Sequence, residues 1–120
     1  MSAMKVDCLF CKIVQGKIPA TKIFEDSEVL GFEDINPHAP THSLFIPKKH
    51  YASLSEIPEG EMPIMGKIFN ALVSVARKKG LAEDGFRSVI NTGKNGGQVV
   101  GHIHVHLIGG RVLGAMAGTV

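Results

Sequence analysis

The run His102-Ile103-His104-Val105-His106-Leu107-Ile108 constrains the fold of this chain more than any other stretch. Imidazole and aliphatic side chains alternate with a period of two, the period of an extended strand. The three histidines then form a row on one side, roughly 7 Å between successive members. Ile103, Val105 and Leu107 face the other way and need an apolar partner. Residues 61–79 supply it: Ile64, Ile68, Leu72 and Val75 recur at helical spacing, and Met65, Phe69, Val73 and Ala76 widen the stripe. Gly80 ends that helix. The histidines therefore point away from the main core.

The remaining elements follow from turn and cap chemistry. Asp7 is placed to cap a short helix over residues 8–15, ended by Gly16. Residues 22–24 and 28–35 read as strands joined by the polar turn Glu25-Asp26-Ser27, residues 36–41 as a loop built by two prolines, and residues 43–47 as a short strand ending at Pro47. Residues 86–92 and 102–108 complete five strands, separated by the glycine-rich loop 93–98. Strands in runs with one long helix predict an α+β fold: a mostly antiparallel five-stranded sheet, one long helix packed on it and a short N-terminal helix. With 120 residues and no linker or repeat, the chain is expected to be one domain, 1–120.

Composition narrows the function. A net charge of +2 is too mild to suggest nucleic acid. No apolar run approaches the roughly 18–20 residues that cross a membrane, and the N-terminus lacks the features of a secretory signal. Two cysteines are too few for a disulfide scaffold, so a cytoplasmic location is expected.

Three histidines in strict alternation offer donors, acceptors and nucleophiles near neutral pH. They suit either a metal site or a nucleophile with neighbours that orient charge and protons. The second use is favoured by the adjoining GKNGGQ (93–98), whose backbone N–H groups face little side-chain obstruction and suit an anion such as phosphate. The loop has neither the P-loop nor the dinucleotide-binding spacing. Cys8-x-x-Cys11 has the spacing of half a tetrahedral zinc site, but it also fits two reduced thiols beside the core, or a redox pair. His38 follows a proline in a loop and is expected to be exposed.

HIHVHLI resembles the His-φ-His-φ-His-φ-φ signature (φ apolar) of the histidine triad superfamily. CKIVQGKIPATKIFED, FEDINPHAPTH, IPKKH, NTGKNGGQ and HLIGGR fall in the family's order along nearly the whole chain. The final Gly-Gly-Arg is similar to the Hint branch, the purine nucleoside phosphoramidases. That resemblance implies a homodimer that hydrolyses nucleoside 5′-phosphoramidates, such as AMP joined to an amine, through a covalent nucleotidyl-histidine. His104 would attack phosphorus, His106 would hydrogen-bond the phosphate or leaving atom, and His42 would support the triad that begins with His102. Asp34 would hold the ribose hydroxyls. Phe10, Ile13, Ile18, Phe32 and Ile35 would wall the base and sugar, with Asn91, Gly97 and Val99 near the phosphate.

The same resemblance implies a purine nucleotide ligand, no cofactor for catalysis, and a structural zinc on Cys8, Cys11, His50 and His102. Val99 departs from the family pattern, because many relatives carry a polar residue, often Ser, near this point. Gly101 replaces the aromatic residue common before the first histidine, and the tail after Arg111 has no aromatic residue. Three alternatives remain at this point. One is a dinucleoside polyphosphate hydrolase or nucleotidyl transferase of a sister branch. The others are a non-catalytic nucleotide-binding module and a plain zinc protein.

Overall fold

The structure, a computed structural model, describes residues 7–115. Five strands form one antiparallel sheet in the order β1-β2-β3-β5-β4: β1 Lys22–Glu25, β2 Val29–Glu33, β3 Thr41–Pro47, β4 Phe86–Val89 and β5 Val105–Gly109. Helix α1 covers Leu9–Val14 and helix α2 covers Ile64–Lys78. The α+β class and the element order match the sequence expectation. No helix among the described residues is long and apolar enough to cross a membrane.

The two faces of the sheet carry separate cores. On one, Ile68, Leu72 and Val75 of α2 pack with Val29, Phe45, Ile103, Val105 and Leu107. On the other, Phe10, Cys11 and Ile13 of α1 pack with Leu30, Phe32, Leu44 and Ile46. The alternation in the last strand accounts for both. Its aliphatic side chains meet the long helix, and its histidines fall on the face that α1 covers only in part.

Several element ends differ from expectation, each for a local reason. Cys8, not Asp7, caps α1: its Sγ accepts the Cys11 N–H at 3.4 Å. The long helix starts at Ile64 rather than at residue 61, because Pro63 has no N–H to continue a ladder from the preceding turn. Regular pairing in the last strand begins only at Val105. Upstream of it β3 runs out at Pro47, which cannot donate to a ladder. There the Ile103 N–H bonds the Tyr51 carbonyl at 2.8 Å instead. His102 and His104 therefore lie on extended chain outside the ladder, and the even row of three is broken.

The β1–β2 turn is fixed by Asp26, whose Oδ1 accepts the Glu28 and Val29 N–H groups at 2.8 Å each. Gly31 is needed where β2 crosses under Phe45, since a Cβ there would lie 2.6 Å from that ring. This close approach lets β2 and β3 stay paired along the wall of the site described next.

Candidate active site

Strand register sets two rows of side chains on the α1 face of the sheet. His106 stands between Leu44 of β3 and Val89 of β4, and Leu44 in turn faces Phe32 of β2. One step along, Ile108 stands between His42 and Arg87. Asp34 extends that second row, its N–H donating to the His42 carbonyl at 2.9 Å. The prolines that keep residues 36–40 a loop thus bring Asp34 back beside His42.

These partners fix the protons. His42 Nδ1 accepts the His38 backbone N–H at 3.0 Å, so neutral His42 carries its proton on Nε2. That Nε2 lies 2.9 Å from His106 Nδ1 and 3.4 Å from Asp34 Oδ2. His106 Nδ1 is then an acceptor, and its own proton sits on Nε2. For His104 the sense is reversed: Nδ1–H donates to the His102 main-chain oxygen at 2.8 Å, because a carbonyl can only accept. Its Nε2 keeps a free lone pair. The ring centroids of His104 and His106 are 5.0 Å apart.

Burial is the main reason that His42 and His104 stay below the usual histidine range. Burial, with the neighbouring His104 and His42 adding repulsion, brings His106 down to about 4. The three rings are therefore neutral at pH 7. A neutral His104 with a lone pair on Nε2 is a competent nucleophile.

The rings open into a cleft of about 780 Å³. Its lining includes Asp34, Phe10, Ile13, Ile18, Phe32, Ile35, Asn91, Gly97, Val99, His42, His104 and His106, which brings together twelve of the residues singled out in the sequence. Phe10 stands edge-on to both Phe32 (5.4 Å between centroids) and His104 (5.2 Å). Ile35 and Val99 lie at the rim, 90% and 92% exposed. His102 does not line the cleft; fully buried, it turns toward the cysteines.

Asp34 is less free than a ribose-binding carboxylate read from sequence alone. Its Oδ1 already accepts the Asn36 N–H at 2.8 Å, which leaves one lone pair on that oxygen and two on Oδ2. The loop after β4 is held by Asn91, whose Nδ2 donates to the Gly96 carbonyl at 2.8 Å. Gly97 has a positive φ of 79°, and a Cβ on Gly96 would lie 2.4 Å from the Thr92 oxygen. Both positions require glycine, and the loop's backbone borders the cleft without side chains in the way.

Five polar residues lining the cleft were absent from the sequence-based site: Glu33, Asn36, His38, Arg87 and Arg111. His38 is exposed, as expected, but its ring stands 5.4 Å from His42 and its N–H sets the His42 tautomer. Arg87 was legible in principle. It shares the strand parity of Asn91, four residues on, and so faces the same side.

Behind α1, Cys8, Cys11, His50 and His102 bring four donor atoms within 4.8 Å of one another. His102 Nε2–H donates to the Pro47 carbonyl at 2.9 Å, so its Nδ1 lone pair faces the thiols. That Nδ1 lies 3.4 Å from Cys8 Sγ, 3.6 Å from Cys11 Sγ and 3.2 Å from His50 Nδ1, and Cys11 Sγ to His50 Nδ1 is 3.4 Å. A tetrahedral zinc has edges of roughly 3.5 Å between S and N and roughly 3.3 Å between two N ligands, from its bond lengths. The donor set and its edges fit zinc. Asp34, His42 and His106 form a second cluster of metal-ligand type. There His42 spends its Nδ1 lone pair on a backbone N–H and turns a proton toward its neighbours, so the cluster is a hydrogen-bond relay.

Comparison with known proteins accords with this geometry. The HIT domain model matches residues 15–113. The purine nucleoside phosphoramidase of Escherichia coli (strain K12) is 39% identical over 113 residues, covering 94% of this chain and 95% of that protein. The structure of a histidine triad protein from Clostridium difficile superposes with a TM-score of 0.91 at 47% identity, covering 93% of this chain and 97% of that one. A zinc-bound histidine triad family protein from Mycobacterium smegmatis superposes with a TM-score of 0.76 at 40% identity, covering 88% and 76% respectively.

Proposed function

The chain belongs to the HIT domain family, and from that premise we propose that it is a hydrolase of purine nucleoside 5′-phosphoramidates. One observation carries the reading: His104 Nδ1–H is tied to the His102 carbonyl, which leaves the Nε2 lone pair free in the cleft. In this reading the base lies between Phe10, Ile13, Ile18 and Phe32, and the ribose hydroxyls meet Asp34. The phosphate rests against the Gly97 loop, with Asn91 holding that loop in shape.

His104 Nε2 attacks phosphorus. The P–Nε2 bond forms as the P–N bond to the amine breaks, and the amine leaves with that electron pair and a solvent proton. The His102 carbonyl bears against the positive charge that the nucleotidylated imidazole acquires. His106 Nε2–H, held outward by His42, donates to the negative charge spread over the phosphate oxygens. Water then attacks the nucleotidyl-histidine, releasing nucleoside monophosphate, a proton and neutral His104.

Cys8, Cys11, His50 and His102 are the proposed zinc ligands in the same reading. A zinc ion there would act structurally, tying α1 to the sheet, and no step of the reaction is assigned to it. The relationship to the Escherichia coli enzyme supports a purine nucleotide ligand. The reading also takes residues 1–120 as one domain, acting as a homodimer in the cytoplasm.

The test is intact-protein mass spectrometry after mixing with adenosine 5′-phosphoramidate. The wild type should show a transient adduct of one adenylate and accumulate AMP. His104→Ala should do neither, yet bind AMP. AMP release undiminished in His104→Ala would refute the assignment of the nucleophile. No release by the wild type would refute the activity.

A further inference from the structure

Two guanidinium groups, those of Arg87 and Arg111, line the cleft together with the histidines. Asp34, just past β2, forms one row with His42, Ile108 and Arg87, so Asp34 and Arg87 stand about 14 Å apart at the backbone, with His42 between them. Arg87 thus carries positive charge on the side of the cleft away from Asp34. Arg87 is half-buried and donates to the Gly114 carbonyl at 2.7 Å. Arg111 donates to the His38 and Val112 carbonyls at 2.7 and 3.0 Å. Among the described residues, neither arginine pairs with a carboxylate, while lysines hold Glu25, Glu28, Glu33 and Glu61 in ion pairs. A guanidinium has five donors, and the Gly114 carbonyl takes one of those of Arg87.

Chemistry gives that charge a position on the substrate. Displacement at phosphorus runs in line, so the leaving group departs from the side opposite His104 Nε2. The strand carries the row from His104 past His106 to Ile108, and Arg87 flanks Ile108. With a phosphate held at His104 and His106, Arg87, which lines the same cleft beyond Ile108, is the cation on that opposite side in this scheme.

Resting on the phosphoramidase reading, we propose that Arg87 selects substrates whose amine bears an anionic group, an amino-acid carboxylate being the simplest. The planar fork of Arg87 would take that carboxylate through paired N–H···O bonds. Arg87 touches neither the phosphorus nor the nucleophile in this scheme, and it acts on which amine is accepted.

Three adenosine 5′-phosphoramidates test this, made with glycine, glycinamide and ethylenediamine. They share the reacting bond and carry a negative, a neutral and a positive group. The full-length wild type should favour the glycine derivative over the glycinamide one by about tenfold in kcat/KM, the size of one charge-assisted contact, and the ethylenediamine derivative should be poorest. Arg87→Gln should bring the glycine-to-glycinamide ratio to about one. Arg87→Lys, which keeps the charge and loses the fork, should fall between them. A wild-type ratio of one, or a ratio unchanged in both variants, would overturn the proposal while leaving the phosphoramidase reading intact. Failure to release AMP from all three would refute that reading, and the proposal with it.

Discussion

His42 Nε2 lies 2.9 Å from His106 Nδ1, and the two residues come from adjacent parts of β3 and β5 that the register brings side by side. One histidine thereby decides which nitrogen of the other faces the cleft with a proton. His42 is a positioning residue in this scheme, since it acts on substrate only through His106.

Replacing it should therefore separate rate from affinity. His42→Ala should lower kcat by about five- to a hundredfold, the cost of losing one buried hydrogen bond, with KM changed much less. Steady-state kinetics on adenosine 5′-phosphoramidate give both numbers. A rise in KM at constant kcat would place His42 in ground-state binding instead.

Val99 stands at the rim with its side chain in solvent. Val99→Ser places a hydroxyl donor at this rim position. The expected outcome is a severalfold gain in kcat for amines that leave poorly, with stability unchanged within about 0.5 kcal/mol because the site is exposed. Turnover across amines of graded basicity, with a urea denaturation curve beside it, checks both parts.

Zinc should be bound at one ion per chain, and native mass spectrometry counts it. Cys8→Ser should lose that ion while keeping the cap of α1, because a serine hydroxyl accepts the Cys11 N–H as the sulfur does. Chelation of the wild type should lower Tm by about 5 °C or more, as for a structural metal whose binding energy adds to folding. An unchanged Tm on chelation would show that the two thiols and two imidazoles hold the fold unaided.

Stability should depend on pH with a definite sign. His42, His104 and His106 have folded-state pKa values below the unfolded value, His106 at about 4. Between about 6.5 and 4 the unfolded chain binds more protons than the folded one, so stability falls as pH drops through that window. Above about 6.5 these groups add no slope. Urea midpoints measured from pH 8 to pH 4.5 should be level at first and then decline, and turnover should fall over the acid range as His104 takes a proton. A midpoint that rose on acidification would contradict the burial of these rings.

The alternation of residues 102–108 and the stripe of α2 were enough to anticipate the sheet, its antiparallel order and which face the histidines take. Periodicity reports which side a residue faces, and that is why Ile103, Val105 and Leu107 met the helix as expected. It does not report where pairing stops. That depended on Pro47, a residue of another strand, and it set His102 apart from His104 and His106. The cap of α1 went to Cys8 because a thiol already facing Cys11 was better placed than the carboxylate before it. Arg87 escaped notice because its neighbours Phe86 and Ser88 carry no sign of a site. The register across β4 and β5 puts it beside Ile108, on the side away from His42.

His102 contributes its ring to the thiol cluster and its peptide oxygen to His104. Those two contributions are inherited differently. The imidazole exists only while residue 102 is histidine, but every amino acid supplies the same carbonyl. A lineage of this fold is therefore able to discard the cysteine cluster, together with the first histidine, and still hand the nucleophile its orientation through an atom that no point substitution removes.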